Sequence, residues 1–189
     1  MAKVLLHICC GPCASYPVPK LRADGYFVMG YFYNRNIHPY SEYLKRQNAL
    51  EEYAKIMDLK VIYDDEYNPV DYFQSIAFRE SRRCFICYKM RLENAAHIAK
   101  KGKFDYFTTT LLVSKHQNHQ LIKEIGEAMG EKYSVPFLYQ DFREGFKKGG
   151  EISRGLGLYR QQYCGCVYSE MERYAPRELS KKVFPQSPK

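Results

Sequence analysis

Lys3-Val4-Leu5-Leu6-His7-Ile8-Cys9-Cys10-Gly11-Pro12-Cys13 is the stretch on which the fold turns. Lys3 to Ile8 is a short apolar run of the kind buried on both faces of a parallel sheet. Gly11 and Pro12 then turn the chain, and Ala14 to Ala23 can continue as a helix despite Pro17 and Pro19. A strand that ends in a turn and feeds a helix is the opening of a strand–helix–strand unit. The rest of the chain repeats that alternation. Strands are expected at Phe27–Tyr33, Val61–Tyr63, Phe104–Thr109 and Tyr133–Leu138. Helices are expected from a Ser41 cap to Met57, near Val70–Phe78, from Cys84 to the stop at Gly102, over Asn118–Met129 and over Val167–Tyr174. Strands alternating with helices imply an α/β fold with a mostly parallel sheet. Ligands of such sheets bind beyond the carboxyl ends of the strands, where Cys9 and Cys10 lie.

The seven cysteines fall in three groups: Cys9, Cys10 and Cys13; Cys84 and Cys87; Cys164 and Cys166. A chain of 189 residues buries a full core as one domain and needs no disulfide staple, and an odd count argues against a secreted framework. Val4 to Cys10 is too short for an export signal, and no stretch approaches the ~20 apolar residues that span a bilayer. A reducing cytoplasm is therefore expected, where clustered thiols bind metal or carry electrons. No linker or repeat divides the sequence. One catalytic domain over 1–189 is expected, its irregular, Gly-rich part (about 145–175) completing the site.

Cys84-Phe85-Ile86-Cys87 lets two sulfurs reach one centre from a helix start, where free amides favour thiolates. Zinc, an iron–sulfur cluster and a redox pair compete for it. No His-x₃₋₅-His accompanies the pair, and the number of thiols favours iron–sulfur ligation. Cys9 and Cys10 would point to opposite faces of a regular strand, so one could be a core residue unless the strand ends there. In Cys164-Gly165-Cys166 the glycine relieves strain, and the two sulfurs could close a labile disulfide or bind a metal jointly. Cys13 has no evident role. His7, inside the apolar run, reads as a satisfied core histidine. Thr108, Thr109 and Thr110 fit strand propensity but end on the same rim. Asp64, Asp65 and Glu66 read as a solvated turn.

Lys and Arg outnumber Asp and Glu by 29 to 21, a net charge of +8, which favours polyanionic partners. The excess is placed beside the thiols. Arg79, Arg82, Arg83, Lys89 and Arg91 surround the second pair, and Lys147, Lys148, Arg154 and Arg160 precede the third. Tyr159, Arg160 and Tyr163 add cation and aromatic surfaces suited to a nucleotide.

Together, His7-Ile8-Cys9-Cys10-Gly11-Pro12-Cys13, the Cys84/Cys87 pair, Thr108-Thr109-Thr110-Leu111-Leu112 with Ser114, His116, Gln117 and Asn118, and Tyr159-Arg160-Gln161-Gln162-Tyr163-Cys164-Gly165-Cys166 resemble the QueH-type epoxyqueuosine reductases. The resemblance implies an adenine nucleotide α-hydrolase-like (HUP-like) fold. It implies cobalamin-independent deoxygenation of epoxyqueuosine in tRNA to queuosine at the wobble position, using a 4Fe–4S cluster. Carried over, Cys9, Cys10, Cys84 and Cys87 are the cluster ligands, and Cys164 with Cys166 is a redox-active pair or holds a second metal. An additional iron ion beside the cluster stays open, and the electron donor is unnamed. Arg82, Arg83, Lys89, Arg160 and Tyr163 are the expected tRNA-binding residues. Two rivals are an ATP-dependent tRNA thiolase and a zinc-stabilised RNA-binding module. The first would need a Ser-Gly-Gly-rich phosphate loop where Cys9-Cys10-Gly11-Pro12-Cys13 stands.

Overall fold

Four parallel strands, β1 (Lys3–His7), β2 (Phe27–Phe32), β3 (Val61–Tyr63) and β4 (Tyr106–Thr109), form one sheet in the order β3-β2-β1-β4 in the computed structural model, which describes residues 1–64 and 66–183. The α/β expectation is met. Val4, Leu5 and Leu6 of β1 are fully buried because β1 is central, paired with β2 on one side and β4 on the other. The chain lays β2 and β3 outward from β1, then crosses to place β4 on the opposite side. That reversal makes the gap between the carboxyl ends of β1 and β4 the topological switch point, the usual ligand position in open α/β sheets.

The helices are α1 (Gly11–Ala14), α2 (Pro17–Ala23), α3 (Tyr40–Ile56), α4 (Val70–Ile76), α5 (Arg83–Lys101), α6 (His119–Tyr133), α7 (Phe146–Gly155), α8 (Val167–Tyr174) and α9 (Arg177–Val183). Pro17 splits the helix expected from Ala14 to Ala23, since it cannot continue the hydrogen-bond ladder of the turn before it. Gly11 lets α1 sit directly on α3: a Cβ there would lie 2.3 Å from the Ala49 carbonyl oxygen. α3 starts at Tyr40 behind Pro39, one residue before the expected Ser41 cap.

Three expectations are corrected. Tyr133–Leu138 is not a strand: α6 runs to Tyr133, and the following segment meets β4 at one parallel bridge, Phe107 with Phe137. Pro136, which has no N–H to give a ladder, stands in the middle of that segment. The Gly-rich stretch expected to be irregular contains α7; just before it, a Cβ at Gly145 would overlap the Tyr16 ring at 2.0 Å, so that glycine serves packing. The acidic turn is not merely solvated. Asp64 and Glu66 pair with Arg35 at 3.4 and 2.7 Å, together with Asp71 at 3.1 Å. Asp65 lies outside the described residues, as do 184–189 of the expected domain. Among the described residues no helix is long and apolar enough to cross a membrane.

Candidate active site

The last regular residue of β1 is His7, so Cys9 and Cys10 lie beyond the strand, where the backbone no longer alternates. Their sulfurs stand 3.8 Å apart. Cys13, one turn into α1, joins them, and the three Sγ atoms lie within 4.8 Å of one another. Thr110, just past β4, closes the group from across the switch point. Its hydroxyl accepts the Cys9 N–H at 3.3 Å and lies 3.6 Å from Cys9 Sγ. The Gln161 side chain spans the other two thiols, accepting from Cys10 Sγ at 3.3 Å and donating to Cys13 Sγ at 3.1 Å.

The triad gives up one proton readily and holds the others. The thiol groups of Cys10 and Cys13 hydrogen-bond Cys9 and pull its pKa well below the ordinary thiol value, helped by Arg91 and Arg46 and opposed by burial. Burial, then the hydrogen bonds with Cys13 and Cys9, pushes Cys10 well above it. Cys13 is raised overall; its bond with Cys10 acts to lower it, but Cys9 and burial outweigh that.

A second thiol group forms from α5 and the C-terminal strap. Burial raises the Cys87 thiol, and the negative charges of Cys164, Cys84 and Cys166 raise it further, while Arg91 opposes them. Asn36 donates to Cys87 Sγ at 2.9 Å, and Arg91 Nε donates to Asn36 Oδ1 at 2.9 Å. Gln117 donates to Cys164 Sγ at 3.2 Å and accepts from the Tyr88 hydroxyl at 2.7 Å. All seven thiols are free. The structure thus brings Cys13, rather than Cys84 or Cys87, into the tightest group with Cys9 and Cys10. Among the described residues no other set of three metal-ligand side chains converges as closely.

Residues 159–166 are strapped over the sheet end by α3. Arg46, fully buried, donates Nε to Glu42 at 2.8 Å, Nη1 to the Cys164 carbonyl at 2.8 Å and Nη2 to the Tyr163 carbonyl at 2.9 Å. The second Glu42 oxygen accepts from the Tyr159 hydroxyl. Tyr163 donates its hydroxyl to the His38 carbonyl at 2.6 Å, and the His38 N–H donates to the Gly165 carbonyl at 2.7 Å. Gly165 has φ +148, and a Cβ there would stand 3.1 Å from Ile37 Cγ1 and 3.3 Å from Arg46 Nη1. The strap therefore needs glycine between its two cysteines.

Of the expected polyanion-binding residues, Arg82, Lys89 and Arg160 are exposed. Arg82 lies over the Phe85 ring, and Lys89 pairs with Glu93 at 3.2 Å. Arg83 is buried, with its guanidinium on Glu172 and over the Tyr168 ring. Tyr163 faces the strap rather than solvent alone, and burial, then Glu42, pushes its pKa up to about 12. His7 is the core histidine expected. Its ring bonds Thr109 Oγ1 at 2.9 Å and the Tyr33 carbonyl at 3.1 Å, and burial, then Arg91, lowers its pKa to about 3. The Tyr33 carbonyl can only accept, so Nε2 carries the proton.

The residues that sequence reading passed over are Arg46, Asn36, Glu42 and His38. One signal for two of them, Asn36 and His38, was available: Asn34-Arg35-Asn36-Ile37-His38 follows soon after β2, and polar residues past the carboxyl end of a parallel strand face the ligand side.

A family model described as epoxyqueuosine reductase QueH matches residues 4–172. An epoxyqueuosine reductase QueH of Dehalococcoides mccartyi is 38% identical over 172 residues, covering 91% of this chain and 94% of the relative. One of Thermotoga maritima is 37% identical over 193 residues, covering 96% and 98%. A solved structure of a predicted subunit of tRNA methyltransferase from Methanocaldococcus jannaschii superposes with a TM-score of 0.55 at 16% identity, over 82% of this chain and 75% of that one. That likeness concerns the fold alone, and it agrees with the mostly parallel α/β architecture expected from the sequence.

Proposed function

Because this chain belongs to the epoxyqueuosine reductase QueH family, we propose that it removes the epoxide oxygen of epoxyqueuosine in tRNA, yielding queuosine at the wobble position, by iron–sulfur chemistry without cobalamin. The observation that carries this reading is the triad of buried Cys9 and Cys10 with half-buried Cys13 at the switch point. Its donor set fits an iron–sulfur cluster. Three sulfurs within 4.8 Å and no competing carboxylate suit soft iron better than a hard cation. Cys9, Cys10 and Cys13 would hold the cluster. Cys84 and Cys87, the other ligands expected for it, would complete it or hold an additional iron from the neighbouring group. Such a cluster supplies low-potential electrons and a Lewis-acidic iron.

Converting the epoxide to an alkene consumes two electrons and two protons and releases water. Oxidation of the Cys164 and Cys166 thiols to one disulfide yields two electrons and two protons, so the balance closes within the chain. An external electron donor then returns the pair to the dithiol. Burial raises the pKa of the Cys164 thiol and outweighs Arg91 and the Gln117 donor at Sγ, which act to lower it, so this thiol keeps its proton until oxidation takes it. Gly165 allows the two sulfurs to approach each other. His7 takes no part in proton delivery, since both ring nitrogens are engaged and the ring is neutral at physiological pH. It fixes Thr109 beside the triad instead.

Arg82, Lys89 and Arg160 would engage tRNA phosphates. Arg83 and Tyr163, from the same expected set, would hold the surface on which those cations stand. The reduced thiols and the tRNA substrate accord with a cytoplasmic protein.

The test is anaerobic incubation with epoxyqueuosine-containing tRNA and a reductant, followed by nucleoside mass spectrometry. Loss of one oxygen mass is expected; an unchanged nucleoside in the presence of iron-loaded protein overturns the reading. Colourless protein with about one zinc and no acid-labile sulfide would favour the zinc module.

A further inference from the structure

Phe78 is 99% exposed, the barest of the large apolar side chains, and it stands in the loop between α4 and α5. Its φ is +59, in the left-handed region that a bulky side chain rarely enters. The other described non-glycine residues with positive φ, Asp58, Lys103 and Ser134, are all polar. Hydrogen bonds hold the conformation from both sides. The Phe78 N–H donates to Glu80 Oε1 at 3.2 Å, and the Arg79 N–H donates to the Ile76 carbonyl at 2.8 Å. The loop thus holds an aromatic side chain out in solvent, at a cost in backbone strain and in unburied apolar area. Strain of this kind gathers where a ligand is met. Two cations flank the ring along the chain. Arg79 and Arg82 are exposed, and among the described residues neither has a carboxylate partner, since Glu80 is turned to the Phe78 N–H. The Arg82 guanidinium rests over the Phe85 ring, 5.1 Å from its centroid. The same segment borders the second thiol group. It runs directly into Cys84, Arg83 holds Glu172 of α8, and α8 begins directly after Cys166. Glu80 and Cys166 both lie within electrostatic reach of the Tyr168 hydroxyl.

We propose that Phe78 is a stacking platform for one unpaired base of the RNA substrate, with Arg79 and Arg82 holding the phosphates beside that base. The proposal rests on the tRNA reading given above and adds the place where the single-stranded part of the RNA is gripped. A bare aromatic face next to unpaired guanidinium groups is the combination that binds single-stranded RNA. Stacking tolerates any base, because every base has a π-face, and the cations meet the backbone. A continuous double helix has no use for such a ring, since its bases already stack on one another. A protein partner would be met by an apolar patch, whereas the residues that follow Phe78, Arg79 to Arg82, are all polar or charged. The backbone is already fixed, so stacking a base on the ring orders little further chain.

The chain contains no tryptophan, so Phe78→Trp places a single fluorophore at the proposed platform. In iron-loaded protein its emission should become shielded from acrylamide when tRNA binds, and should stay open to acrylamide with a double-stranded RNA of the same length. Phe78→Gly keeps the left-handed backbone without strain and removes the ring. It is expected to bind tRNA about tenfold more weakly with an unchanged salt slope, while its urea midpoint stays level or rises. Arg79→Gln should instead lower the log–log salt slope by about 0.7. Phe78→Gly protein that binds tRNA as tightly as the wild type, or acrylamide access that tRNA leaves unchanged, overturns the inference and leaves the ring to a protein partner or to none. A lower urea midpoint in Phe78→Gly would make the ring a structural element and overturn it as well. Because binding is read without turnover, Phe78-dependent binding by protein that fails to deoxygenate epoxyqueuosine would uphold the platform and refute the reaction. Deoxygenation by protein whose tRNA affinity ignores Phe78→Gly would do the reverse.

Discussion

Replacing Arg46 with methionine tests whether the strap, and with it the thiol site, is held by a single buried cation. The side chains of Arg46 and Glu42 are 1% and 7% exposed, so the pair is shielded from solvent. Removing one member of a buried ion pair costs about 3–5 kcal/mol, because the other charge is left in a low-dielectric interior. Arg46→Met also takes donors from the Tyr163 and Cys164 carbonyls, each bond to a charged donor being worth about 1.5–3 kcal/mol. These losses do not add in full, since residues 159–166 can lift and let water reach both carbonyls and Glu42. Glu42 also keeps the Tyr159 hydroxyl. The expected outcome is a global loss of about 3–5 kcal/mol in urea unfolding, with the strap opening locally before the sheet. Hydrogen exchange read by mass spectrometry should show protection lost over 159–166 and kept in β1. Arg46→Lys keeps the charge but not the forked geometry, and should lose about 1–2 kcal/mol. Glu42→Gln combined with Arg46→Met should recover part of the loss, because no orphaned carboxylate remains. If Arg46→Met unfolds within about 1 kcal/mol of the wild type and the strap stays protected, Arg46 is not the clamp and the argument fails.

Other outcomes follow from the same geometry. Cys13→Ser should lower iron and acid-labile sulfide per chain in anaerobically purified protein; undiminished iron would exclude Cys13 from the metal site. Neutralising Arg82, Lys89 or Arg160 one at a time to Gln should each flatten the salt dependence of tRNA binding by about 0.7–0.9 in the log–log slope. Arg83→Ala should instead reduce iron content, since that residue ties the start of α5 to α8, and a slope change without iron loss would reassign it to phosphate contact. Burial holds the folded-state pKa of His38 at about 4, below its ordinary 6.5, so the unfolded chain takes up the proton first. Stability should therefore fall as pH drops from about 6.5 towards 4, by at most about 3 kcal/mol from this residue. An equal slope in His38→Asn would show that another group is responsible.

What the sequence made legible was whatever depends on neighbours along the chain. β1 was readable because it is buried on both faces and so carries an unbroken apolar run, and α5 because its 19 residues repeat a helical face. The three cysteine groups were readable from spacing alone. The pairing of those groups was not, because it is set by strand order: β4 had to cross to the far side of β1 before Thr110 could meet Cys9. Tyr133–Leu138 was misread because Tyr, Val, Phe and Leu favour strands, while the missing N–H of Pro136 limits the ladder. α7 was missed because Gly149, Gly150 and Gly155 weigh against a helix until one sees Gly149 lying against Tyr16. Arg35, Arg46 and Arg91 were the hardest to read. On a helix or in a loop, an arginine defaults to solvent, and only the tertiary fold shows which ones are enclosed.

Arg91 gives that last point its chemical weight. It is 1% exposed, and among the described residues no carboxylate lies within ion-pair distance of it. Its Nε donates to the neutral amide of Asn36, which passes the contact on to Cys87. An isolated buried guanidinium would carry a desolvation penalty of several kcal/mol and cannot shed its proton to escape it. The negative charges that act on it are those of the Cys87, Cys9 and Cys164 sulfurs. Arg91 acts to lower Cys9, Cys87 and Cys164, but burial leaves Cys87 and Cys164 above the ordinary thiol value, and Cys9 is the one whose pKa falls well below it. The buried cation therefore stands where a thiolate at Cys9 is favoured. A cysteine-rich core built for packing alone would have no use for a cation at that position, whereas a site that must present anionic sulfur to a metal or an electrophile has every use for one.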